Sequence, residues 1–583
     1  MSTLDKVAEL SSLLSPEDLA SQITQLFDTW NNQRQGWLEE ARERRNYIFA
    51  TDTSTTSNAT LPWKNKTTLP KLCQIRDNLH ANYNSALFPN DEWMKWEGYT
   101  VDAEEKAKRN AIQAYMSNKV RESKLRTVSS QLVLDYIDYG ICHADVVWVD
   151  ERKEDPDTGE VIPGYVGPMA VRYSPEDVVF DPTAAAFQNS PKIIRSVKRF
   201  GEIELQAANS TDEQFKAMVA ASRDIRRNAG RYSKDDFYKA EAYSVDGFGS
   251  LYEYYGSGYV EILEFQGTLY DQDSGELLDD YIITIMDRSK VVRKEPLPAW
   301  KRGGYMVSST WRKRPDNLYG MGPLDNLVGL QYRLDHLENL KADIGDMILA
   351  PPLKIRGGVD EFDWAPFAEI HVDEDGDVEP LAPAAQAFAA NFEIDRILEL
   401  MEEMAGAPKQ AMGIRTPGEK TAFEVQSLEN AAGRIFQEKV TQFEIECLEP
   451  LLNNMLEVAK RKLNGADVIR IMDDDLGVVE FLQITKEDIT AKGKLRPVGA
   501  RHFSARAQLM QNLQGLSNTQ MWAQISPHLS SKALAKLIED SMQLSRFELF
   551  RDNVAVIEQT ETQRLATQAQ DTLAAEAMTP VEG

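Results

Sequence analysis

Residues 323–352 read PLDNLVGLQYRLDHLENLKADIGDMILAPP, and the character of the whole chain turns on them. Pro323 suits the first turn of a helix, where its missing N–H would have no partner anyway. Leu327, Leu330, Leu334, Leu337, Ile344 and Ile348 recur at spacings of three, four and seven, so they share one apolar stripe. Asp325, Arg333, Asp335, Glu338, Asp343 and Asp346 stand around that stripe. Pro351 and Pro352 end the helix. Such a helix needs a partner along its stripe.

The residues that follow supply candidates. Leu353–Arg356 and Glu369–Val372 read as short strands, closed by Asp375-Gly376. A second amphipathic helix is predicted over 384–404, carrying Glu393, Asp395, Glu399, Glu402 and Glu403. The Gly/Pro-rich loop GAPKQAMGIRTPGEK spans 406–420. A very long helix comes next, with Val425, Leu428, Ala432, Ile435, Phe443, Cys447, Leu451 and Met455 on one face. Pro450 is expected to bend it, because proline removes an internal hydrogen bond. Strands over 468–472 and 478–482 and a helical C-terminal part from Ser504 complete this half, with a frayed tail after Asp571.

Upstream, an amphipathic helical segment from Pro16 reaches Ile48, a polar loop covers 51–60, and helices span 69–87 and 103–139. At Gly140 the period changes. Ile141–Val149 is β-branched and partly alternating, so it reads as a strand, followed by a turn at 155–159 and strands at 170–173 and 178–180. A helix over 202–225 precedes an alternating region, 237–311, that reads as mostly antiparallel sheet. The fold class is therefore α+β, predominantly helical.

The totals narrow the function. A chain of 583 residues that is 42% hydrophobic supports several packed modules. Its formal net charge is −27, with a pI near 4.8, which excludes the broad basic footprint of a protein that grips nucleic acid by neutralising phosphates. Cys73, Cys142 and Cys447 are widely spaced and odd in number, which argues against a disulfide framework and for a reducing compartment. The first residues carry no basic stretch leading into an apolar one, and no run approaches the ~18 apolar residues of a membrane span.

The motifs give little chemistry. Gly418-Glu419-Lys420-Thr421 resembles the end of a phosphate-cradling loop, but no glycine stands at the required distance upstream of Lys420, and a helix precedes it. Asp473-Asp474-Asp475 reads as an acidic turn between two strands rather than a two-metal site, whose ligands must converge from several elements. Asp373-Glu374-Asp375-Gly376-Asp377 lacks the downstream bidentate Glu of a calcium loop. The six histidines form no close pair, and His143 reads as a packed residue. Trp63, Trp93 and Trp96 read as core or interface anchors. No catalytic constellation and no cofactor site is expected, which points toward architecture.

Four segments, in this order, resemble the portal proteins of tailed bacteriophages: Trp63–Pro70 leading into Ala86–Pro89; Gly140–Trp148 followed by Tyr173–Pro182; Leu318–Leu324; and Ala411–Arg415 with Thr421-Ala422. The resemblance implies a head-to-tail connector, a homo-oligomeric ring usually of twelve subunits at one capsid vertex. Double-stranded DNA passes through such a ring during packaging and ejection. Terminase docks on it first and tail or adaptor proteins later, and its other partners are the major capsid and scaffold proteins, with no membrane involved. By that resemblance, 1–322 holds N-terminal helices and an α/β wing, 323–349 a stem helix, 350–383 the clip and 384–405 the second stem helix. Residues 406–420 form the tunnel loop, 421–503 a long kinked helix with returning wing strands, and 504–583 a helical crown and tail. Lys409, Arg415 and Lys420, on the loop expected to enter the channel, are the candidate DNA contacts; capping helix ends or bridging to neighbouring subunits is an equal alternative. The competing classes are another virion structural protein, such as a capsid or tail-tube subunit, and a nuclease acting through Asp474.

Overall fold

The computed structural model describes most of residues 8–497. Residues 228–257, 298–305, 358–376, 381–389, 406–434 and 498–583, with some shorter breaks, lie outside the described residues. A short strand, β1 (Ala8–Leu10), precedes α1 (Pro16–Gln33) and α2 (Gln35–Ile48). The amphipathic pattern reads as one helical segment, but the chain breaks at Arg34. Its buried guanidinium donates to the carbonyls of Pro175, Glu176 and Val178, so the break is where the helix is tied to a distant turn.

Two 3₁₀ turns, Thr53–Thr55 and Ser57–Thr60, occupy the expected polar loop. Then come α3 (Lys71–Leu87), β2 (Met94–Gly98), α4 (Ala103–Glu122) and α5 (Leu125–Asp138). The helix-rich stretch read over 103–139 holds two helices. The observed division falls at Lys124, whose φ of 54° ends one helix and starts the next.

From Gly140 the strands follow: β3 (Ile141–Asp150), β4 (Val166–Tyr173), β5 (Val178–Phe180) and β6 (Lys192–Arg199). Two helices, α6 (Phe200–Asn209) and α7 (Glu213–Arg227), interrupt them before β7 (Tyr259–Asp271), β8 (Leu277–Met286), β9 (Lys290–Pro296) and β10 (Val307–Thr310). A small hairpin, β11 (Arg312–Arg314) with β12 (Asn317–Met321), leads through a 3₁₀ turn at Asp325–Leu327 into α8 (Val328–Leu349). Beyond it lie β13 (Leu353–Arg356), β14 (Asp377–Pro380) and α9 (Ala390–Met404). Helical residues 435–443, a π turn at Glu444–Leu448 and α10 (Glu449–Lys462) follow, then β15 (Ala466–Asp473), β16 (Val478–Thr485) and β17 (Gly493–Pro497).

The main sheet runs β9-β8-β7-β6-β5, all antiparallel, with β1 parallel to the end of β7. Its register sets Ile193 beside Phe265 and Phe265 beside Ile283, so one face is a row of large apolar side chains. Leu19, Ala20, Ile23, Phe27 and Trp30 of α1 cover that face, which is what the three-and-four spacing of α1 is for. A second core joins Trp37, Leu38 and Ala41 of α2 to Tyr139, Ile141, Phe180, Met306 and Tyr319. This core draws Phe180 and Ile194 from the main sheet and Ile141 from the second sheet, β10-β3-β4. The α+β class is shown.

Several expectations shift. The partner of β13 is Asp377–Pro380; the strand read at Glu369–Val372 lies outside the described residues. Pro450 stands in the first turn of α10, directly after the π turn, where Glu449 N–H reaches back to the Glu444 carbonyl. The wider turn meets the missing N–H and the bulk of the proline ring by widening the helix just before it. β2 pairs with β17, a contact between the two halves of the described chain that no local pattern announces. Trp93 and Trp96 are buried there, as core anchors. The crown expected from 504 lies outside the described residues. Among the described residues, no helix is long and apolar enough to cross a membrane.

Candidate functional site

The helical hairpin α8–β13–β14–α9 begins at a crossing of backbones. Gly140 ends α5's turn with φ +72°, and a Cβ there would lie 2.3 Å from the Met321 carbonyl carbon and 2.4 Å from the Gly322 nitrogen. Gly320 meets the same turn from the other side, its would-be Cβ 2.7 Å from the Gly140 oxygen. The segment Leu318–Leu324 therefore crosses the α5–β3 turn at main-chain contact, which only glycine permits. Gly322 N–H donates to Asp325 at 3.0 Å, and Arg44 of α2 pairs with Asp325 at 2.7 Å, both side chains buried. Burial pushes the Asp325 carboxyl up to about 6, and Arg44 opposes that shift. The start of α8 is fixed in this way to α2, α5 and β3.

The polar positions of α8 are not a solvent face. Gln331, Asp335, Asn339 and Asp343, four residues apart, are buried beneath an extended strap, residues 63–69. The strap runs antiparallel to the helix. Leu72 N–H donates to Gln331, Leu69 N–H to Asp335 at 3.1 Å, and Thr67 N–H to Asn339 at 2.9 Å. Lys64 and Asn65 N–H both donate to Asp343 at 2.9 Å. In return Asn339 Nδ2 donates to the Thr67 carbonyl, as a neighbouring strand would. Trp63, at the far end of the strap, reaches back along the helix, its Nε1 donating to His336 Nδ1 at 3.1 Å. The helix supplies the hydrogen bonds the strap's backbone needs away from water. The sequence reading missed this; the four-residue spacing of short amides and carboxylates on one helix face is its signal.

Among the described residues Asp335 has no cation against it, only donors: Leu69 N–H, the Thr68 hydroxyl and Gln331 Nε2. Burial pushes its carboxyl up to about 6. Between the unfolded value near 3.9 and this one, the folded chain holds a proton the unfolded chain has lost, so stability falls as pH rises from about 4 to 6. Asp135 and Asp325 are raised to about 6 as well and act with the same sign. Asp335→Asn is expected to flatten this part of the profile, removing about 2 kcal/mol of pH dependence, as read from urea melts at pH 4, 5, 6 and 7. Asp335→Ala strands buried donors and is expected to cost about 2–4 kcal/mol at pH 7.

α9 returns beside α8. Arg333 pairs with Glu393 at 3.0 Å, Lys341 Nζ lies 3.4 Å from Asn391 Oδ1, and Lys71 of α3 holds the buried Glu402 at 2.6 Å. Ile394, Ile397 and Met401 are buried on one face of α9. On the opposite face Phe392 is 85% exposed, among the exposed carboxylates Asp395, Glu399 and Glu403; Leu400 and Met404, also exposed, flank the buried face. Met347, Ile348 and Leu349, at the end of α8, are exposed as well. The apolar stripe read on α8 is thus buried at Leu327, Leu334 and Leu337, half-buried at Leu330 and Ile344, and exposed at Ile348.

The candidate DNA contacts Lys409, Arg415 and Lys420 lie outside the described residues, as do Asp474 and Asp475; Asp473 ends β15 opposite Val478. His143 is packed as expected. It is buried, stacked on Phe187 at 4.9 Å, and burial together with Lys192 and Arg34 pushes it down to about 3, so it is neutral. Among the described residues, no group of three or more His, Cys, Asp or Glu side chains is placed to hold a metal ion. Compared with models of known protein families, the sequence matches none, and no curated protein matches it significantly.

Proposed function

We propose that this chain is the subunit of a phage portal ring, in which the α8–α9 hairpin is the stem and double-stranded DNA passes along the axis. One observation carries the reading. The hairpin is fixed on one side by the strap and the glycine crossing, and it leaves Phe392, Leu400 and Met404 of α9 exposed. A second copy of the same hairpin, turned about an axis, would cover exposed apolar side chains of this kind. The exposed carboxylates Asp395, Glu399 and Glu403 share α9 with them, and the whole chain carries −27. An acidic wall gives a polyanion no counterion-release affinity, which suits a conduit through which DNA must slide.

In this reading β13–β14 belongs to the clip that meets terminase and then tail or adaptor proteins. The α/β region before α8 is the wing, and the virion's portal vertex is where the ring works, against the major capsid and scaffold proteins. Electron microscopy of the purified chain tests it: closed rings, dodecameric by the resemblance, with an axial hole wide enough for a duplex, are expected. Tubes, shells or a monomer that persists at high concentration would refute the assignment. Lys409, Arg415 and Lys420 provide a separate test. Changing all three to Gln is expected to leave ring formation unchanged and to alter DNA retention in packaged particles; unaltered retention removes the DNA-contact role alone.

A further inference from the structure

The two buried cysteines, far apart in sequence, are neighbours in the fold. Cys142 is the second residue of β3 and pairs with Ser309 of β10; its Sγ lies 3.8 Å from the Ser309 carbonyl oxygen. The same serine's hydroxyl donates at 3.2 Å to Glu446, in the π turn beside Cys447. One turn earlier, Gln442 Nε2 donates to the Thr310 carbonyl at 2.7 Å, and the Phe443 ring meets Tyr136 edge-on at 5.2 Å. The sheet and the turn are pinned on both sides of the cysteines, and Cys447 lies close enough to Cys142 to help raise its thiol pKa. Neither reaches solvent: Cys142 is 0% and Cys447 1% exposed.

We propose that Cys142 and Cys447 are a closable dithiol, a modification site at which oxidation by hydrogen peroxide ties the π turn to β3. The chemistry balances with one peroxide per latch. One thiolate attacks a peroxide oxygen, the O–O bond breaks, and a sulfenic acid and one water are formed. The second thiolate displaces the sulfenic oxygen as a second water, and an S–S bond replaces two S–H bonds.

Burial controls the rate. It holds the Cys142 thiol well above its ordinary pKa, so thiolate is scarce and oxidant is shut out while the turn is closed. The turn is also where the helix is easiest to open, because it is π-wound and Pro450 follows with no N–H to close the next bond. The latch therefore records opening of the turn and prevents it afterwards. Cys73, half-buried on α3, has no such neighbour thiol among the described residues and serves as the internal reference.

The test uses the full chain, folded, with hydrogen peroxide at pH 7 and 8.5, followed by alkylation, non-reducing digestion and mass spectrometry. The expected result is a peptide joining Cys142 to Cys447, formed faster at pH 8.5 and reversed by dithiothreitol, with a melting temperature raised by a few degrees. Cys447→Ser should abolish the joined peptide while leaving Cys73 oxidation unchanged. Recovery of Cys142 and Cys447 as free thiols after Cys73 is fully oxidised would overturn the proposal, as would separate sulfinic acids on the two. The outcome is independent of whether the chain forms rings.

Discussion

Gly140→Ala is expected to lower the stability of the chain by about 2–4 kcal/mol, and the loss should appear as a single large drop in urea and thermal melts. Two costs combine. The backbone at Gly140 has φ +72°, and a residue with a Cβ pays roughly 1 kcal/mol or more to hold that conformation. The new methyl would also lie 2.3–2.4 Å from the backbone at Met321 and Gly322, where no side chain can swing aside. Forcing a shift of that kind in a packed region costs about 1–3 kcal/mol. The displaced segment is the one that leads into α8, so the hairpin's base should loosen with it. Gly345→Ala is the control. That glycine lies inside α8 with nothing within 4 Å of its would-be Cβ, and alanine there should be neutral or stabilise by up to about 1 kcal/mol. Equal melts for Gly140→Ala and the parent chain would mean the crossing does not hold the hairpin.

What could be read from the sequence follows from which forces are local. The alternation of Ile141–Val149 predicts a strand, and β3 is one, because a period of two needs only its own residues to declare a face. The stripe on α8 is equally local. Its polar face was misleading for a physical reason: Asp335 and Asp343 look like solvated carboxylates until the backbone N–H groups of the strap, more than 250 residues earlier, are placed against them. The pairing of β2 with β17 is hidden in the same way, since neither strand has a near partner. Lys124 carries no turn signal of its own, yet its left-handed φ divides α4 from α5. The proximity of Cys142 and Cys447 is also long-range, and spacing along the chain alone argues against it. Of the candidate site, the hairpin's helices were legible and its anchoring was not.

Phe392→Asp is expected to abolish ring assembly while leaving the subunit folded. The side chain is 85% exposed, so within one subunit it has little to lose, and the far-ultraviolet spectrum and melting temperature of the monomer should stay close to those of the parent. Between subunits the effect is large. Burying a phenylalanine against an apolar neighbour contributes about 2–3 kcal/mol, which corresponds to a ~30- to 150-fold weaker contact when it is lost. An aspartate adds the cost of burying a charge with no partner. A closed ring has one such contact for every subunit, so every interface is weakened at once and none can compensate. Analytical ultracentrifugation at a concentration where the parent chain forms rings should show monomer alone. Ile394→Asp, two residues away on the buried face of α9, should act in the opposite manner, destabilising the subunit itself because that side chain is 5% exposed. Rings that form as readily with Phe392→Asp as without it would place the subunit contact elsewhere. In that case the exposed Phe392 on α9 would no longer support a bundle of hairpins around an axis.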